Sequence, residues 1–257
     1  MILDGEVVVV TGVGAGLGAR LARRSVDEGA SVVMAARSDR VTAALEESLD
    51  GRAVAVACDV RDADACARVA ATAVERFGKV TGLVNSAYAH PSFDDLIDTP
   101  PELLQKALDV ILHGSLNMTR AVVPHMKEAG GGSIVNVGTM ATRKPMRSEA
   151  AYAVAKAAMS CATRYLALEL GAHGIRVNTA AMGWLDGPGV RVYLQVTAQQ
   201  RGVSEQEVYD EIASRNPLGR IPTDEACAGA ILMLLSRYSS EVTGAMLDVN
   251  GGEFLPL

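Results

Sequence analysis

A phenol and an ammonium stand four residues apart in Tyr152-Ala153-Val154-Ala155-Lys156, inside an alanine-rich stretch that predicts a helix, so both side chains leave one face. A free phenol titrates near pH ~10, too high for efficient proton exchange with an alcohol at neutrality. A lysine cation beside it favours the phenolate and brings that value toward the working range. Thr139 precedes this pair, just past the apolar run Ile134-Val135-Asn136-Val137, and its hydroxyl could donate to an oxygen that gains negative charge as hydride moves. Taken alone, the Tyr-Lys spacing fits an exposed lysine beside a half-buried tyrosine equally well. Its meaning depends on what the rest of the chain places around it.

A second string with chemical potential is Val10-Thr11-Gly12-Val13-Gly14-Ala15-Gly16-Leu17-Gly18-Ala19, which follows a valine run and opens a helical pattern. Glycines let a backbone turn sharply and approach a pyrophosphate, whose charge then meets the amides and positive end of the helix. A glycine-rich turn that binds nothing uses the same residues, but a place in the first βαβ unit is where dinucleotide sites lie. The acid that usually binds the ribose hydroxyls is missing, because the second strand ends Met34-Ala35-Ala36-Arg37-Ser38. Ala36 leaves room and Arg37 offers a fork of donors suited to a phosphate. The expected cofactor is therefore NADP(H), with NAD the weaker candidate. The alternative has Arg37 facing solvent and Asp39 approaching the ribose.

Positioning these groups requires strands that end together. Valine-rich runs alternate with segments of helical period, which predicts an α/β fold: a doubly wound, seven-stranded parallel sheet with helices on both faces. The strands fall near Val7 to Val10, Ser31 to Ala35, Ala53 to Cys58, Gly82 to Asn85, Ser133 to Val137, Arg176 to Ala180 and Ala245 to Val249. Helical periods cover 17–28 and 63–77, and Gly29, Gly51, Gly78 and Gly171 read as helix stops. Between about 187 and 217 the pattern turns to Gly-Pro-Gly followed by polar residues mixed with Val192, Tyr193, Leu194, Val208 and Tyr209. Such an excursion reads as a lid over a cleft, or more plainly as a surface helix pair. No linker or repeat divides residues 1–257, which we read as a single domain.

Composition narrows the function classes. With 49% hydrophobic and 21% charged residues, 257 residues can bury roughly three-quarters of their extended surface without disulfide or metal. No apolar run approaches the length that spans a bilayer, and the acidic start is unlike a secretory signal. The four cysteines (Cys58, Cys66, Cys161 and Cys227) sit among small apolar residues, as buried free thiols do, which suggests a reducing, cytoplasmic setting. Net charge is −6 with no basic block, so neither nucleic acid nor an anionic membrane is an expected partner. His90, His113, His125 and His173 lack ligand spacing, and no metal site is expected. A small molecule is the expected partner.

Taken in order, Thr11, Gly12, Gly16 and Gly18 of a TGxxxGxG string, then Cys58-Asp59-Val60, Asn85, Thr139 and Tyr152-xxx-Lys156, resemble the short-chain dehydrogenase/reductase family over nearly the whole chain. Further matches are Ile175-Arg176-Val177-Asn178, Pro217-Leu218-Gly219-Arg220 and Thr243-Gly244 through Gly252. The resemblance implies a Rossmann-type sheet, a nicotinamide cofactor and interconversion of an alcohol and a carbonyl. It implies that Tyr152 is the general acid/base, that Lys156 tunes it and holds the nicotinamide ribose, and that Thr139 stands for the usual serine. By the same resemblance Leu17 belongs to the phosphate loop, Asp59 and Val60 contact adenine, Asn85 lies beside the cofactor, and Gly183 and Leu185 meet the nicotinamide. A homotetramer or homodimer built on two long helices, about Leu103 to Met126 and Ala151 to Leu170, is also implied.

Four positions depart from the family pattern. Tyr88 replaces a glycine, Ile111 the asparagine whose carbonyl holds a relay water, Thr139 a serine and Met182 a proline. Ile111 keeps the carbonyl but not the side-chain hydrogen bonds. The leading expectation is an NADP(H)-dependent reductase or dehydrogenase of a small apolar, possibly cyclic substrate. A 3-oxoacyl thioester reductase is a second reading, supported by the basic run Arg143-Lys144-Pro145-Met146-Arg147. A catalytically weak nucleotide-binding or scaffold protein is a third.

Overall fold

Consecutive valines are stable in a strand only when both of its faces are covered, and the computed structural model, which describes residues 1–256, covers them. Seven parallel strands, β1 (Val7–Thr11), β2 (Ser31–Ala36), β3 (Ala53–Ala57), β4 (Gly82–Asn85), β5 (Gly132–Thr139), β6 (Ile175–Met182) and β7 (Met246–Val249), form one sheet in the order β3-β2-β1-β4-β5-β6-β7. Alternate residues of each strand feed two separate cores. Val8, Val10, Val32 and Met34 pack under α1 (Leu17–Asp27), with α2 (Thr42–Ser48) nearby. Val7, Val9, Val33 and Ala35 face the opposite layer, which begins with α3 (Ala63–Phe77).

The rest of that second layer is α4 (Pro101–Leu108), α5 (Gly114–Glu128) and α6 (Ala150–Leu170). The helix pair α7 (Pro188–Arg201) and α8 (Glu205–Ala213) follows β6, and α9 (Asp224–Leu235) returns to the α1 face through Ala228, Ile231 and Leu232. Helix starts and stops follow local chemistry. The Asp62 carboxylate accepts from the amides of Asp64 and Ala65 at 2.9 and 3.2 Å, a cap that stabilises α3 by about 1 kcal/mol, and Gly78 ends it at φ +84°.

Three local expectations are corrected. Gly171 does not stop α6 by a left-handed turn: it stays right-handed, a 3₁₀ turn follows, and Gly174 at φ +69° makes the reversal. The helix expected across Leu103 to Met126 runs from α4 to α5 through a π-helical turn, Asp109–His113, with Ile111 in it. Cys161 is exposed on α6, whereas Cys58, Cys66 and Cys227 are buried. The expectation of four buried thiols fails there because α6 turns Cys161, Tyr165 and Leu168 outward.

Residues 187–217 hold a helix pair, and its first turn borders the cleft. Leu194, Ala198, Val208, Ile212 and Ile221 give the pair a small core of its own, and a capping box from Ser204 and Glu207 starts α8. Beneath the cleft, buried polar side chains cross the sheet. Asn85 Nδ2 donates to Asn136 Oδ1 at 2.9 Å, Asn136 Nδ2 to Thr163 Oγ1 at 2.9 Å, and the Thr163 and Thr179 hydroxyls lie 3.0 Å apart. This chain ties β4, β5 and β6 to α6.

Candidate active site

Strand order reverses where β1 and β4 meet, and the loops leaving the carboxyl ends on either side diverge to leave a crevice. The main cavity lies there, about 510 Å³, bounded by the loop after β1, the ends of β5 and β6, the start of α6 and the first turn of α7. It gathers Gly12, Gly16, Leu17, Gly18, Thr139, Tyr152, Lys156, Gly183 and Leu185. The structure thus brings together the two groups of residues singled out by spacing.

The loop after β1 needs its glycines for different reasons. Gly12 has φ +71° and a Cβ there would lie 2.6 Å from Ala87 Cα; a Cβ on Gly18 would lie 2.7 Å from the Gly12 carbonyl oxygen. No side chain caps α1, so the amides of Leu17 and Gly18 remain for an anion placed against Gly14 to Gly18. A backbone cradle that admits no side chain at Gly12 or Gly18, at an uncapped helix start, fits the pyrophosphate of a dinucleotide.

Thr139 ends β5, and its Oγ1 accepts from the Ala141 amide at 3.2 Å, which leaves its own proton to donate. Tyr152 and Lys156 leave adjacent turns of α6, with Lys156 Nζ 5.7 Å from the phenol ring centre. The lysine is 1% exposed and donates to the Val137 carbonyl. Burial depresses its ammonium from 10.5 to about 7. Burial also pushes the Tyr152 phenol well above its ordinary value, helped by the charges of Glu149 and Tyr88, while a hydrogen bond from Thr139 works the other way. In the cofactor-free protein the largest influence on the phenol is thus desolvation, which the Tyr-Lys spacing does not encode.

Five expected cofactor residues lie outside the cavity. Thr11 is buried below it, its Oγ1 accepting from the amides of Ser86 and Ala87 at 3.1 and 3.3 Å. Asn85 belongs to the polar chain under the floor, and the next residue, Ser86, lines the cavity instead. Val60 is buried against Gly114. Asp59 is held by the Arg61 guanidinium at 2.6 to 3.1 Å, which lowers the pKa of its carboxyl, with a smaller contribution from Arg37. Arg37 is exposed just past the end of β2, close enough for its charge to act on Asp59.

Three titratable lining residues were missed by the sequence reading, as were the apolar Met140 and Ala141. His90 stacks on Tyr152 and meets Glu149, and the Asp224 carboxylate lies against Gly16 and Gly187. The spacing of Glu149, three residues before Tyr152, was a usable signal; nothing in the sequence marked His90 or Asp224. Of the departures from the pattern, Tyr88 stands at the rim, edge-on to Tyr152 with ring centres 6.2 Å apart, and leaves the cavity open. Met182 lines the wall. Ile111 is fully buried against Ala155 and Met159, and its carbonyl accepts the Ser115 hydroxyl at 2.7 Å.

A family model described as enoyl-(acyl carrier protein) reductase matches residues 12–253. Dehydrogenase/reductase SDR family member 4 of Bos taurus is 36% identical over 253 residues, spanning 97% of this chain and 88% of that protein. The chain belongs to the short-chain dehydrogenase/reductase family. Within that family, the short-chain reductase protein NovJ of Streptomyces niveus is 36% identical over 96% of this chain and 93% of its own length. The L-rhamnose 1-dehydrogenase (NAD(P)(+)) of Azotobacter vinelandii is 33% identical over the full length of both. Membership makes this short-chain dehydrogenase/reductase a nicotinamide-dependent oxidoreductase acting on CH–OH groups. No helix among the described residues is long and apolar enough to cross a membrane.

Proposed function

We propose that this enzyme interconverts an alcohol and a carbonyl on a small apolar, ring-sized substrate with NADP(H). The observation that carries the reading is the convergence of Tyr152, Thr139 and Lys156 on one cavity whose other end is the glycine cradle. Thr139 donates to the substrate oxygen, and Tyr152 gives that oxygen a proton in reduction or takes one in oxidation. Lys156 adds a donor on the cofactor side of the phenol. When bound, the nicotinamide supplies or accepts the hydride. Gly183 and Leu185 line the end toward the ring, and Gly12, Gly16, Leu17 and Gly18 hold the phosphates.

Met140, Ala141, Met146, Met182, Trp184 and Val190 give the substrate end an apolar wall, and Trp184 packs on Tyr193 of α7 with ring centres 5.0 Å apart. The first turn of α7 acts as a lid. Arg37, exposed beside the expected ribose, favours the 2′-phosphate of NADP over NAD. Asp59 and Val60 frame the adenine. Exposed Val154, Tyr165 and Leu168 on α6 accord with a homodimer or homotetramer, and three buried free thiols with the cytoplasm.

The thioester reading loses its main support. Arg143 pairs with Asp248, and Lys144 with Glu253 at 2.9 Å, so the basic run is largely neutralised within the fold. The scaffold reading is opposed by an open cavity holding all three expected catalytic side chains.

The test is Tyr152→Phe assayed with a panel of cyclic ketones, L-rhamnose, L-fucose and an acyl thioester. NADPH binding should persist while turnover falls at least about a hundredfold. An unchanged rate, or a wild-type enzyme inert on every member, would refute the assignment.

A further inference from the structure

The Tyr152 ring lies between two unlike walls. One is apolar: Ala107, Ile111, Ala155 and Met159 are buried there, with Leu108 packed beside them. The other is an aromatic stack in which His90 lies 5.2 Å from Tyr152 at 21°, with Phe93 behind it at 4.3 Å and 19°. His90 Nε2 is 3.1 Å from Glu149 Oε2. Glu149 occupies the N-cap of α6 yet caps nothing, because its carboxylate turns to the histidine. The loop after β4 is thereby fastened to the start of the helix that carries the phenol.

The groups that face Tyr152 from every side can be named. Lys156 donates to Val137, Thr139 offers a hydroxyl, Tyr88 approaches edge-on, and Glu149 brings a carboxylate held by His90. Glu149 supplies the one carboxylate among them, and the apolar wall offers no group that exchanges a proton.

The geometry points to His90 and Glu149 as a positioning pair for Tyr152: the stack fixes the ring, and the carboxylate's charge biases the site toward giving a proton to a carbonyl over taking one from an alcohol. This rests on the proposed role of Tyr152. A negative charge beside a phenol opposes its ionisation, so the protonated donor persists at neutral pH and alcohol oxidation waits for alkaline pH. The electrostatics agree, since Glu149 follows burial as the next largest influence holding the phenol high. His90 lets the carboxylate stay there by hydrogen-bonding it.

The pair is tested by alkaline absorbance titration of Tyr152, with Tyr152→Phe in each background as blank, alongside pH profiles of alcohol oxidation. In Glu149→Gln both the titration and the rise in oxidation should move about one pH unit downward, giving about tenfold faster oxidation below the midpoint. Glu149→Asp should stay near wild type. His90→Ala should lower kcat about tenfold with cofactor KM unchanged, and His90→Phe, which keeps the stack, should restore most of it. Superimposed titration curves for Glu149→Gln and wild type, including both silent until the protein unfolds, overturn the charge role. Wild-type turnover in His90→Ala overturns the clamp. If Tyr152→Phe still turns over, the parent reading fails instead, and the titration, which needs no turnover, still decides the pair.

Discussion

Replacing Lys156 with methionine should make the cofactor-free protein more stable and less sensitive to pH. In the unfolded chain this ammonium has its ordinary value of 10.5, whereas burial lowers it to about 7 in the fold. Between those values the unfolded state holds the proton more firmly, so stability increases with pH across that window. The penalty is greatest below about 7. The two values correspond to about 4 kcal/mol of destabilisation at pH 7 and about 2 kcal/mol at pH 9. Methionine has similar length and no proton, but it loses the bond to the Val137 carbonyl, worth about 1 to 2 kcal/mol at either pH. The diagnostic quantity is therefore the pH dependence. Wild type should gain about 2 kcal/mol from pH 7 to pH 9 relative to Lys156→Met, or about 4 to 8 °C in thermal midpoint. Urea or thermal unfolding of both proteins at three pH values measures it. Parallel stability curves would show that the lysine keeps its proton in the fold, and would refute the argument from burial.

Gly12→Ala places a side chain at φ +71°, 2.6 Å from the Ala87 backbone, and should lower stability by about 3 kcal/mol, seen by calorimetry as a fall of about 6 to 12 °C. A change under about 1 °C would mean the loop relaxes freely. Ile111→Asn buries an amide among Ala155 and Met159 and should destabilise by about 2 to 4 kcal/mol without raising turnover; a faster enzyme of wild-type stability would contradict this. Arg37→Ala should weaken NADPH binding about ten- to a hundredfold in a fluorescence titration and leave NADH nearly unchanged. Equal effects on both cofactors would remove Arg37 from phosphate recognition.

The sheet was readable because each strand is a run whose two faces must both be buried, and the run ends matched the observed strands to within a few residues. The shared placement of Tyr152 and Lys156 on one cavity was readable because helix periodicity brings them to one face whatever surrounds them. What periodicity does not carry is depth. The ammonium expected to assist the phenol is itself buried enough to lose its proton near neutrality, and the phenol is pushed upward by the same cause. Contacts between distant segments were equally hidden: His90 reaches Tyr152 and Glu149 across about sixty residues of chain, and Asp224 reaches the glycine loop from the far end of the sequence. The helix stop at Gly171 was misplaced because a glycine permits a left-handed turn without requiring one, and the chain used Gly174 for it.

The polar chain from Asn85 through Asn136 to Thr163 and Thr179 gives the helix that carries Tyr152 a key as well as a bed. Hydrocarbon contacts alone would let α6 slide against the strands with little preference for one seating. A hydroxyl from Thr163, shared with Asn136 and Thr179, admits a single axial setting and thereby fixes how far the phenol projects into the crevice. Alteration of Thr163, about three turns from the phenol and hidden from any ligand, is thus a way to detune the reaction without touching a reacting group.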